Sequence, residues 1–276
     1  MSAPPPANEP NEPGEPSRPI VRSRWTRRDR FWVAALALAA IAFYAGLGAL
    51  LHPFAIPGPE WDGYVARARD LASGGTGYSA THPYGLPVLL AGLQLAGLDA
   101  FVAGRLVAAV AGGVLVAATC RLARDYVGWP AALVGALAVG VTGVVCEHAM
   151  LACSDMPAAG ALAFALVCWS AAARRSDAAL GPVALGGVGV GLAMAFRFPS
   201  LFAAAGLLVL LATGPWSRRA LRALAAGAGA VLGLLPQLWA SARASGALFG
   251  NDNWRNLVFK YQHGFDLRLA VLERDQ

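Results

Sequence analysis

The chain has 276 residues, 57% of them hydrophobic and only 14% charged, with a net charge of +6 and a mean hydropathy of +0.52. A soluble domain carries roughly a quarter charged residues, and here the apolar residues come in long runs, not in alternation. This excludes an ordinary soluble domain and predicts an all-α polytopic membrane protein. Lys260 is the only lysine, and the arginines gather at the ends of the apolar runs, where they encode topology rather than nucleic-acid binding.

The first residues, "MSAPPPANEPNEPGEPSR", hold almost nothing apolar and are expected to be disordered. Residues 1–30 are read as a cytoplasmic tail, because "RSRWTRRDR" immediately precedes the first apolar run, Phe31 to Leu51. No small-residue cleavage site follows that run, so it reads as a membrane span and not as a signal peptide. Residues 52–100 then form an outside loop. Within it, Trp61 to Ala72 has helical character, with Tyr64, Ala68 and Leu71 on one face, as expected of an interfacial helix. Tyr84 to Gly97 is apolar but too short to cross, and is read as a helix lying against, or dipping into, the outer leaflet.

Further spans are expected at Phe101 to Cys120, Trp129 to Val145, Met156 to Ala173, Gly181 to Ala195, Ser200 to Thr213 and Ala220 to Trp239, making about seven in all. With that count every arginine cluster falls on one side. Residues 146–155 form a second outside loop, and the more polar 240–276 lie outside again. The run "GGVGVG" at 186–191 follows no strand, so it reads as a surface for close helix approach and not as a nucleotide loop.

This topology brings polar residues from distant parts of the chain to one face. Glu60, Asp62, Asp70 and His82 lie in the first outside loop, and Glu147, His148 and Asp155 in the second. Arg197 is at an outer hinge, and Asn251, Asp252, Asn253, Arg255 and Lys260 follow the last span. Asp62 and Asp155 each have a plain reading as helix caps and a functional one as interfacial acids. Arg105 and Arg197 sit within or beside spans, where a charge costs at least roughly 2.5 kcal/mol without a partner or cavity. Arg105 can snorkel or pair with Asp99. Arg197 fits an anionic ligand such as a lipid phosphate, or an ion pair with an outer acid. Cys146, His148 and Cys153 match no familiar zinc spacing, while a Cys146–Cys153 disulfide is open to them in an oxidising compartment.

Several stretches in order carry a family likeness: "WDGYVARARDLASGG", "THPYGLPVLLAGLQLAG", "AGRLVAAVAGG", "LACSDMPAAGALAF", "GLAMAFRFPSL" and "FGNDNWRNLVFKY". Over residues 31 to about 261 the chain resembles the GT-C membrane glycosyltransferases, in the protein mannosyltransferase and aminoarabinose transferase branch. The resemblance implies sugar transfer from a polyprenyl-phosphate carrier to a protein, lipid or glycan acceptor at the outer face of a bacterial plasma membrane. It maps the family's first-loop acid onto Asp62 and its second-loop acid onto Asp155. A carboxylate in reach of the acceptor hydroxyl can take its proton as it attacks, and the departing phosphate needs a fixed cation.

Arg197 and Arg255 are the candidates for that cation, with His82 where the family often has a lysine. No cofactor and no metal ligand is assigned. Family members continue with further spans, so the resemblance implies an N-terminal membrane part only, as a truncated, split or degenerate copy, with activity expected to need a partner chain that supplies the remaining spans. The rival reading is a transporter subunit or lipid-binding scaffold, whose polar residues belong near the midplane and not at the outer edge.

Overall fold

The computed structural model describes residues 25–51, 63–77, 82–175, 179–212 and 215–248. All the regular structure among them is helical: α1 Arg27–Leu51, α2 Tyr64–Ala72, α3 Gly85–Leu95, α4 Ala100–Val127, α5 Trp129–Gly140, α6 Gly143–Met150, α7 Asp155–Ala173, α8 Leu180–Phe196, α9 Ser200–Leu207 continued by a 3-10 turn Leu208–Leu211, and α10 Trp216–Ser245. The all-α membrane class follows from the long apolar helices.

By length and hydropathy α1, α4, α7 and α10 can each cross a bilayer, and α5 with α6, bent by 62°, makes up to a fifth. This does not confirm the expected seven. Every expected span does have a helix, but α8 has 17 residues and rises only about 26 Å, short of the roughly 30 Å hydrocarbon core. α9 is shorter still. α3, the segment expected to lie against one leaflet, has 11 residues and is indeed too short to cross.

Local chemistry explains where the helices start and bend. α1 begins before its apolar run because Thr26 and Asp29 cap one another: the Thr26 amide donates to Asp29 Oδ2 at 2.9 Å and the Asp29 amide to Thr26 Oγ1 at 3.1 Å. α4 begins at Asp99, whose carboxylate accepts from the amides of Phe101 and Val102. The α5–α6 bend frees the Gly140 carbonyl. The Tyr44 hydroxyl of α1 donates to it at 2.8 Å and the Cys146 thiol at 3.4 Å, so no bare carbonyl is left in an apolar setting. The other half of the bundle rests on small residues. A Cβ at Gly187 would lie 2.2 Å from the Ala226 carbonyl oxygen of α10, and one at Gly191 2.1 Å from that of Ala230. The "GGVGVG" run is thus a backbone-to-backbone seam between α8 and α10.

The side-chain contacts sort the helix ends into two groups. At one end the start of α1 and the ends of α4 and α7 are tied together through Asp125, which accepts from Trp25 Nε1 at 3.0 Å and from Arg121 at 2.8 Å and also pairs with Arg174. Arg124 pairs with Asp29 at 2.9 Å. The buried Arg222 of α10 donates to the Ala172 carbonyl at 3.0 Å and to that of Arg175 at 3.4 Å, setting a cation on the negative end of α7. This is the arginine-rich end. The start of α4, the start of α7, the end of α8 and the end of α10 meet α2 and α3 at the other.

Candidate functional site

The site lies at this second end. α7 starts behind Ser154, which makes no side-chain cap. Its hydroxyl, nearly fully buried, instead takes a hydrogen bond from Tyr64 Oη of α2 at 3.0 Å. Asp155 occupies the first turn, where its charge suits the helix N-terminus, but the carboxylate reaches sideways. It forms an ion pair with Arg197, and His148 Nε2 stands 3.8 Å away. Arg197 arrives there because α8 ends at Phe196: the Arg197 backbone is extended at φ −153° and ψ 114°, and α9 begins only after Pro199. Of the two roles open to Arg197, an acid partner is present, while 47% of its side chain, against 38% for Asp155, stays exposed.

α2 supplies the adjoining wall. Tyr64 and Ala68 are buried and Leu71 half-buried, as the shared face read from their spacing expects. Arg67, one residue off that face, donates to the carbonyls of Gly77 at 3.0 Å and Pro83 at 3.2 Å, with a longer contact to that of His82. Its guanidinium lies 5.0 Å from the Tyr84 ring centroid. Asp70 holds the same loop by accepting from the Gly77 amide at 2.7 Å. Gln237, wholly buried on α10, accepts from the Tyr84 amide at 2.5 Å. These contacts hold Gly77 and the 82–84 segment, where the His82 ring meets Tyr64 edge-on at 6.0 Å.

Of the residues singled out in the sequence, the structure joins Asp155, Arg197 and His148 directly, while His82 meets the ring of Tyr64, whose hydroxyl bonds to Ser154 beside Asp155. Asp62 and Arg255 lie outside the described residues. Asp99 does not serve Arg105. It caps α4 and pairs with Arg69 of α2 at 3.1 Å. Burial works against the Asp99 carboxylate, but the bonds from Arg69 and the Val102 and Phe101 amides outweigh it and hold its pKa below the ordinary 3.8. Cys146 and Cys153 are not joined in a disulfide; each thiol donates to a backbone carbonyl instead. Among the described residues no three His, Cys, Asp or Glu side chains form a metal-binding group.

Arg67, Ser154 and Gln237 were not legible as site residues. Arg67 has only a weak signal, a cation one position off an apolar face. Ser154 and Gln237 have none, because their partners lie in distant segments.

A family model described as dolichyl-phosphate-mannose-protein mannosyltransferase matches residues 81–239, from the loop before α3 to the last turns of α10. No curated protein and no solved structure matches the chain.

Proposed function

The chain belongs to the dolichyl-phosphate-mannose-protein mannosyltransferase family, and from that premise we propose that it moves a sugar from a polyprenyl-phosphate carrier to an acceptor at the outer face of the membrane. At the level of the family it is a membrane glycosyltransferase of GT-C type that draws on a lipid-linked sugar, which displaces the transporter or scaffold reading. The observation that carries the finer proposal is the half-exposed Asp155–Arg197 pair, at the end of the bundle opposite the arginine clusters. By the positive-inside rule those clusters are cytoplasmic, so the pair faces out.

In the reaction the acceptor oxygen bonds to the anomeric carbon as the bond from that carbon to the phosphate oxygen breaks. The electron pair leaves with the phosphate, and the acceptor proton passes to a carboxylate. Asp62 is assigned that proton. Arg197 is assigned the phosphate. A guanidinium has five donors in a planar fork, so it can meet a carboxylate on one edge and a phosphate on another. Asp155, read from sequence as a catalytic acid, gains a positioning role here: it fixes the fork of Arg197. His82 and Arg255 add positive charge around the departing phosphate.

Membranes from cells expressing the full chain, given a labelled polyprenyl-phosphate mannose, test the reading. Wild-type membranes release polyprenyl phosphate, whereas Asp62→Asn loses about 10²–10⁴-fold in rate while still inserting. Full turnover by Asp62→Asn removes the proton assignment. Single cysteines at Ser73 and Ser217 test the orientation, with a membrane-impermeant thiol reagent expected to reach the first from outside and the second only after lysis.

A further inference from the structure

At the arginine-rich end α1 and α4 leave a groove of about 380 Å³ between them. Its floor is Val33, Ala34 and Ala37 of α1 with Ala117 of α4, and its mouth is Trp25, Arg30 and Arg121. The spacing gives the groove a direction. Arg30 stands three, four and seven residues before the α1 floor residues, and Arg121 stands four after Ala117, so each arginine heads a stripe on its own helix. A basic mouth thus leads into a trough of small apolar side chains.

The charge at the mouth is spent locally only in part, on the Arg121 side. The described acids at this end are Asp29 and Asp125, and they are held by Arg124, Arg121 and Arg174. Arg30 is exposed and outside these pairs. Arg121 gives one edge to Asp125 and stacks on Trp25 at 3.7 Å, and a guanidinium has further donors to offer. Phe31, Trp32, Tyr126 and Trp216 are exposed at the same end, an aromatic belt that sets the mouth at headgroup depth. α1 also lacks protein support here: only 11% of its apolar stretch is buried, against 50% for α4, and its buried residues, Tyr44 and Gly48, lie toward the other end.

We propose that this groove is a binding site for an anionic phospholipid, with the phosphate on Arg30 and Arg121 and one acyl chain along Val33, Ala34, Ala37 and Ala117. A small soluble anion has no use for the trough. A peptide segment would bring backbone polar groups against an apolar floor that cannot pair them. The lipid would brace the poorly covered half of α1 against α4.

The full chain, purified in mild detergent and titrated with phosphatidylglycerol or phosphatidylcholine in native mass spectrometry, tests the site. One phosphatidylglycerol should be retained in preference to phosphatidylcholine. Arg30→Gln should weaken it about fivefold, the effect of one basic residue on an anionic headgroup. Ala34→Trp, which fills the trough from an exposed position, should abolish retention, while Arg218→Gln, at the same end but outside the groove, should leave it intact. Equal retention of the two lipids would overturn the proposal. So would an Arg218→Gln loss matching that of Arg30→Gln, since diffuse charge would then suffice. Retention appearing only after removal of residues 1–24 would assign the groove to the chain's own N-terminal segment.

Discussion

The two ends of this bundle both carry ion pairs, but they hold them differently. At the arginine-rich end Asp125, 11% exposed, is shared by Trp25, Arg121 and Arg174. That network joins α1, α4 and α7, and it is closed: the acid's lone pairs are met from three segments. At the opposite end Asp155 and Arg197 pair with nearly half of the arginine exposed, and His148 stands beside them at 3.8 Å. A closed network fixes one arrangement of helices. A half-open pair leaves donors on the guanidinium for an incoming anion. Stability is therefore expected to reside at the first end and chemistry at the second.

The largest expected effect divides the ends most sharply. Arg197→Gln should cut sugar transfer by about 10²–10³-fold, the usual loss when one donor to a developing anion is removed. Because its pair is half-exposed, the melting temperature in detergent should barely move. Arg197→Lys keeps the charge but not the fork and should fall between the two. If Arg197→Gln unfolds the protein, the pair is a structural one and the division fails.

Asp125→Ala should show the reverse pattern. It strands partly buried cations and should destabilise by about 3 kcal/mol, seen as a lower melting temperature, while the molecules that stay folded turn over at the wild-type rate. A rate loss like that of Arg197→Gln would make the first end part of the catalytic machinery.

A third test asks how far the α8–α10 seam sets the position of Arg197. Gly191→Val places a Cβ 2.1 Å from the Ala230 carbonyl oxygen, and overpacking of this kind typically costs about 1–3 kcal/mol. Melting should fall, and transfer should fall with it because α8 carries Arg197 on its end. Gly135→Ala, with nothing within 4 Å of the new Cβ, should change neither.

The smallest effect belongs to Asp99. Its pKa is lowered in the folded protein, so its contribution is full above the unfolded value near 3.8 and is lost as pH falls through the lower folded value. Hydrogen exchange should show α2 loosening from the start of α4 in that acid range, slightly, because the Arg69–Asp99 pair is half-exposed. In Asp99→Asn this acid-dependent step should be absent.

Much of this was legible in single segments. Arg197 declares itself as a charge amid "GLAMAFRFPSL", and Asp155 as an acid opening an apolar helix. Tyr64, Ala68 and Leu71 show their shared face by spacing alone. That Arg197 chooses Asp155 was not legible, because α7 and α8 lie between them and several outer acids stood as equal partners. Asp99 misled in the other direction, since Arg105 is nearer in sequence than the Arg69 it pairs with. His148 stood out as one of several polar residues in the second outside loop, and its place beside Asp155 depends on the bend between α5 and α6.

Hydropathy summed along the chain determined that this is a helical membrane protein, and the one-sided arginines determined which helix ends belong together. Both are local quantities: the cost of burying a charge or a bare peptide group in lipid does not depend on which neighbour stands alongside. Partner choice does depend on it. The order of helices around the bundle is set by contacts such as Gly187 on Ala226 and Tyr44 on Gly140, between segments far apart in the chain. Only that lateral packing decided that Asp155, Arg197 and His148 meet at one end, and that a groove stays open between α1 and α4 at the other.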